Sequence, residues 1–115
     1  MLMNWYDQVY TGQHSAKDVA DIRRQLEEGD YPRSLWLILT AANGRDLFDI
    51  RPAADLRKPY FKDRAVYVVG VARSRAQAVA MIGQVVLDYL AGGELARFVE
   101  YAGRHPRVAN GPQEM

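Results

Sequence analysis

The stretch from Arg64 to Gly92, RAVYVVGVARSRAQAVAMIGQVVLDYLAG, constrains the fold more than any other part of this chain. Its first part is rich in Val and Tyr, types that fit a pleated, packed surface, and predicts a strand over Ala65–Ala72. Strict alternation places Val66 and Val68 on one face and Tyr67, Val69 and Val71 on the other. Both faces are apolar, the pattern of a strand covered on two sides. Gly70 leaves a gap in the side-chain row where a neighbour can approach the backbone.

A helix is predicted to follow almost at once. Ser74 suits an N-cap, Gln77 completes a capping-box pattern, and Gly92 with Gly93 supplies the stop. One stripe of this helix holds Ala76, Val79, Ala80, Gly83, Val86, Leu87 and Leu90, and its small members suit it to lie close on a sheet. A second stripe, Ala78, Met81, Ile82, Val85 and Tyr89, is also apolar; only Gln77, Gln84 and Asp88 mark a polar edge. A surface helix needs an apolar arc of little more than about 100°. This one therefore calls for cover on two sides, with Met81, Ile82, Val85 and Tyr89 as the expected contact surface for another helix or a second subunit.

Met1–Gly12 fits either a strand, by residue type, or a helix, by the spacing of Trp5, Tyr6, Val9 and Tyr10. Ser15–Gly29 is an outer helix capped by Ser15, with Val19, Ile22 and Leu26 on one narrow face. SLWLILTAA, Asn43-Gly44 and RDLFDI read as a hairpin on a two-residue turn. That turn sets Leu39 opposite Phe48 and Leu37 opposite Ile50 as the core side, and leaves Trp36 on a mixed side available for contact. Arg51–Arg64, interrupted by Pro52 and Pro59, is a basic loop. Glu94–Ala102 is a short amphipathic helix ending at Gly103, and Arg104–Met115 a flexible tail.

The order is thus helix, strand, strand, strand, helix, helix: an α+β fold with a small, mostly antiparallel sheet of three, possibly four, strands and helices packed on one face. At 115 residues the chain makes one domain, expected over residues 1–103. Open sheet edges and a spare helix stripe both point to a homodimer or to an unknown protein partner.

Composition narrows the function classes. With no cysteine there is no disulfide, thiolate nucleophile or Cys-based zinc site, and a cytoplasmic location is expected. The N-terminal residues do not read as a signal peptide, and no apolar run approaches the ~20 residues that span a bilayer. Net charge is +1, so bulk electrostatics indicates neither a membrane surface nor nucleic acid.

Chemistry-bearing residues are sparse. Ser15 and Ser74 serve as caps, and Ser34 lacks a nucleophile-elbow context. His14 and His105 lie far apart in loops, and Asp18, Asp21, Asp46 and Asp49 lack metal-ligand partners. No catalytic residue, metal site or cofactor is assigned. An enzyme would require a deep pocket joining Asp49, Arg51 and His14. One alternative stands out. Arg73, Ser74 and Arg75 at a helix start could bind an anion, with Arg57 and Lys58 of the basic loop folding beside them and Tyr60 and Phe61 offering stacking faces. The ligand would be a phosphorylated compound or a nucleic acid.

The run LFDIR…YVVGVARSRAQAVAMIGQVV resembles small uncharacterised bacterial α+β proteins in which an L-F-D hairpin precedes a Y-V-V-G-V-A-type strand and an Ala-rich helix. The resemblance covers about Leu35–Leu90. It implies a fold and brings no activity.

Overall fold

The computed structural model describes residues 1–41 and 45–108. Four strands, β1 (Leu2–Tyr10), β2 (Trp36–Thr40), β3 (Phe48–Pro52) and β4 (Ala65–Ala72), form one sheet in the order β1-β4-β2-β3. The helices are α1 (Ala16–Glu27), α2 (Arg75–Leu90) and α3 (Glu94–Arg104); two short 3-10 turns, Ala53–Arg57 and Pro59–Phe61, link β3 to β4.

The fold is α+β, and the sheet is mixed and four-stranded rather than mostly antiparallel with three strands. The extra strand is the N-terminal one. Trp5, Tyr6, Val9 and Tyr10 follow residue type rather than helical spacing: β4 pairs with β2 along one edge, and β1 satisfies the backbone groups along the other. β1 runs parallel to it, with Leu2 opposite Ala65 and Trp5 opposite Val68.

Helices cover both faces, not one. α1 and the 3-10 turns close the face carrying Leu35, Leu37, Leu39, Val66 and Val68. The other face, with Ile38, Val69 and Ala72, lies under α2 and α3. Leu37 and Ile38 alternate between the two cores and both are fully buried. A strand of this kind reads as a continuous apolar run, which is what WLIL is.

Two register details move side chains across the sheet. In the hairpin Leu39 is opposite Asp49, Ile38 opposite Ile50 and Thr40 opposite Phe48. The Ala41 amide donates to the Leu47 carbonyl (3.0 Å), so the connection is longer than a two-residue turn. Asn43 and Gly44 lie outside the described residues. The slip of one residue sends Phe48 and Ile50 to the face of Trp36 and Ile38. Trp36 is thereby packed into the core beneath α2, not held out for a partner.

In β4 the register against β2 shifts between Leu39–Val68 and Ile38–Gly70, so Val69 is an extra, bulged residue. Val71 then joins Val66 and Val68 on the α1 side, not Tyr67 and Val69. Gly70 sits where the strands crowd. A Cβ there would lie 3.2 Å from Ile38 Cδ1 and 3.3 Å from the Tyr10 carbonyl oxygen.

The domain also extends past Gly103. α3 continues to Arg104, the Ala65 amide donates to the Pro106 carbonyl (3.1 Å), and Arg107 bridges Arg64. Residues 105–108 are thus hydrogen-bonded to the segment that opens β4, with 105–107 exposed on the surface.

Candidate functional site: the outward face of α2

Local rules fix both ends of α2. Ser74 Oγ accepts from the Gln77 amide (3.0 Å), while Gln77 Oε1 accepts from the amide of Arg73 (2.8 Å), one residue outside the reciprocal box. Gly92, at φ 78°, takes the left-handed turn after the last helical residues.

The helix's rotational setting is the decisive feature. Ala78 and Val85 are fully buried against the sheet, and Met81, Ile82 and Tyr89 are partly buried in the same core. Phe48 meets the Tyr89 ring edge-on at 6.2 Å. The stripe expected to be the contact surface is therefore the sheet-facing one. Beneath them lie Trp36 and Ile38 of β2 with Phe48 and Ile50 of β3, in the same core.

The other stripe faces out. Leu87 is 62%, Leu90 68% and Val79 45% exposed, and Ala76, Ala80 and Gly83 are exposed between them. The outer face of a surface helix is ordinarily polar. Here the polar groups are confined to its margins. Arg75 stands at the start, and along one side Gln84 Nε2 donates to Asp88 Oδ1 (2.9 Å). Tyr10 donates its hydroxyl to Asp88 Oδ2, which holds that carboxyl below the ordinary range.

The anion arrangement read from the sequence is not assembled. Arg73 turns toward α1, with a guanidinium nitrogen 3.5 Å from the Gln13 carbonyl oxygen and 3.9 Å from Asp18. Lys58 pairs with Asp55 (3.3 Å) and Arg57 stacks over Tyr31. Tyr31 borders Met1 and Leu2 at the start of β1, which pairs with the start of β4. Arg57 and Lys58 thus lie near one end of β4 and Arg73–Arg75 at the other, roughly 26 Å apart by strand rise.

A cleft of about 330 Å³ lies elsewhere, and its parts come from segments distant in sequence. β1 occupies one edge of β4 along Ala65–Val68, so the bridge between Arg64 and Arg107 uses the edge that β2 takes from Val68 onward. The cleft opens between the end of β2 and residues 105–108. Arg64 lines it with its guanidinium 4.3 Å from the Tyr60 ring centroid, and no carboxylate among the described residues pairs with it. Arg51 is already held by Asp49 and Asp55 and rests on Phe61. Tyr67 forms part of the wall; burial raises its hydroxyl pKa, and it donates to the His105 carbonyl (2.7 Å).

Comparison with protein-family models, with curated proteins and with solved structures gives no match.

Asp49 and Arg51 share the cleft, but His14 lies in a separate open groove with Asp18, Ser34 and Arg73. There His14 Nδ1 faces the Thr11 carbonyl (3.1 Å) and Asp18 is committed to the Ser15 capping box. The backbone bond from Ser15, then its hydroxyl, lowers the Asp18 pKa. Among the described residues no group of three or more His, Cys, Asp or Glu is placed to hold a metal ion. No single described helix is long and apolar enough to cross a membrane. The outward α2 stripe was visible as apolar residues; what the sequence did not reveal was which stripe would be covered.

Proposed function

We propose that this protein is a non-catalytic module of the cytoplasm that works by association, through the outward face of α2, with a second copy of itself as the first partner. One observation carries the reading: Leu87 and Leu90 are each more than three-fifths exposed on a face whose other members are Ala76, Val79, Ala80, Gly83 and the half-buried Val86. Scattered exposed apolar residues are ordinary, but a contiguous stripe with polar margins is the usual sign of a contact site. Sedimentation velocity over the micromolar range tests it. A concentration-dependent dimer that is lost in Leu87→Glu/Leu90→Glu, with the fold retained by circular dichroism, supports the reading. A wild-type chain that stays a 13.0 kDa monomer throughout removes self-association.

A second reading is favoured by Arg64. A guanidinium that pairs with no carboxylate among the described residues and sits on an aromatic ring, beside a cleft walled in part by Leu39, Val66 and Ala102, suits a small anion with a planar or apolar body. This replaces the anion site at Arg73–Arg75, whose parts the fold separates.

A further inference from the structure

Gly83 stands in the middle of α2, and a Cβ built on it would have no atom of the described residues beyond its own stretch of helix within 4 Å. Glycine in a helix interior is less stable than alanine, because it loses more backbone freedom on folding. Packing within this chain gives no reason for it. The glycine makes sense where another helix comes close to the α2 backbone, and its position at the centre of the outward stripe shows where that would be.

We infer that α2 pairs with α2 of a second copy, running antiparallel and crossing at Gly83. The inference rests on the self-association proposed above and adds its geometry. Side-chain size rises along the stripe: Ala76, Val79 and Ala80 precede Gly83, and Val86, Leu87 and Leu90 follow it. Antiparallel pairing about Gly83 sets Leu90 of each copy against Ala76 of the other, filling small with large, and Leu87 against the shorter Val79. A parallel pair would oppose leucine to leucine at one end and alanine to alanine at the other, crowding one and leaving the other hollow.

Charge gives the same direction. α2 begins with Arg75 and has no acidic residue in its first turn and no basic residue in its last. Each helix therefore places a cation at the positive end of its own dipole and leaves its carbonyl end uncompensated. In the antiparallel pair Arg75 of one copy lies beside the carbonyl end of the other α2 and near Glu94, which opens α3. Both deficits are corrected by one contact. The face is small, on the order of half the ~800 Å² per partner of a standard interface, so the dimer is expected to exchange at micromolar concentration.

The chain contains no cysteine, which makes cross-linking clean. In the antiparallel pair Val79→Cys in one copy faces Leu87→Cys in the other, within the ~7 Å Cα limit for a disulfide. Like residues stand about 12 Å apart along the axis by helix rise. A mixture of the two single variants should oxidise to a covalent heterodimer, while each variant alone stays uncoupled. Gly83→Ala should raise the melting temperature of the dilute monomer by a few degrees and weaken the dimer about tenfold or more. A dimer in which each variant couples to itself, the mixture does not couple, or Gly83→Ala leaves dimerisation unchanged would overturn the crossing and leave self-association standing. A monomer at every concentration would overturn both and give this face to another partner.

Discussion

Tyr10, at the end of the edge strand β1, donates its hydroxyl hydrogen to the carboxylate of Asp88 on α2. The bond ties the first element of the chain to the helix that carries the proposed contact face, and it borders that face. It also links two titrations. Asp88 lies below its ordinary pKa because Tyr10, and then Gln84, donate to the charged form. Tyr10 lies above its own, chiefly through burial and then through its hydrogen bond to Asp88.

The signs follow from linkage. The Asp88 contribution is present above its unfolded pKa, about 4, and is lost as pH falls through the lower folded value. The Tyr10 contribution is present below its unfolded pKa, about 10, and is lost as pH rises beyond it. Tyr10→Phe should therefore flatten the stability profile on both limbs while lowering it between them. Urea midpoints measured across pH provide the check; an acid limb identical to wild type would mean that the bond contributes nothing in solution.

Gly70 makes a prediction opposite in sign to that for Gly83. A methyl group at Gly70 lies 3.2 Å from Ile38 Cδ1 and 3.3 Å from the backbone carbonyl oxygen of Tyr10, closer than ordinary van der Waals contact. Gly70→Ala should destabilise by about 1–3 kcal/mol as an overpacked core does. Ile38→Val removes the opposing carbon and should recover part of that loss, so denaturant unfolding of the two single variants and the double should show coupling. Strict additivity would place the strain at Tyr10 alone.

Local signals in the sequence were reliable where one segment decides its own structure. Ser15 and Ser74 cap their helices, Gly29 and Gly92 follow the helix ends at positive φ, and the α+β class follows from the order of the elements. What depended on counting across a turn failed. One residue more in the hairpin carried Phe48 and Ile50 through the sheet, and that filled the face on which α2 then settled. The bulge at Val69 did the same to Val71. With both stripes of α2 apolar, its own pattern could not choose between them; the choice was made by the shape of the sheet. The cleft at Arg64 was illegible for another reason, since its walls come from four separate segments, within residues 39–41, 46–51, 60–67 and 102–106.

The setting of α2 predicts a sharp contrast between neighbours in sequence. Val85 is fully buried, and Val85→Ala should cost about 2–3 kcal/mol. Leu87 is outside, and Leu87→Ala measured at a concentration where the chain is monomeric should change stability by no more than about 0.5 kcal/mol. Chemical denaturation at low protein concentration separates the two. Equal losses would mean that the helix is rotated from the described setting.

The cleft and the start of α2 can be told apart by where an anion perturbs the backbone. Benzoate presents a carboxylate on a flat apolar body, matching a guanidinium beside Tyr60 and an apolar wall of Leu39, Val66 and Ala102. Titrated into isotope-labelled protein, it should shift the amides of Arg64, Ala65, Ala102 and Gly103. The response should weaken as salt is added, because one exposed ion pair carries much of it. Arg64→Ala should abolish the shifts, whereas Arg73→Ala/Arg75→Ala should leave them in place, since Arg73 is turned to Gln13 and Asp18 and lies beyond reach of the cleft. Inorganic phosphate separates charge from shape: a response to phosphate as strong as that to benzoate would assign recognition to Arg64 alone, without the apolar wall. Shifts centred on Ser74 and Gln77 would instead return the anion to the helix start, where the Arg73 and Gln77 amides would first have to give up the bonds they now make.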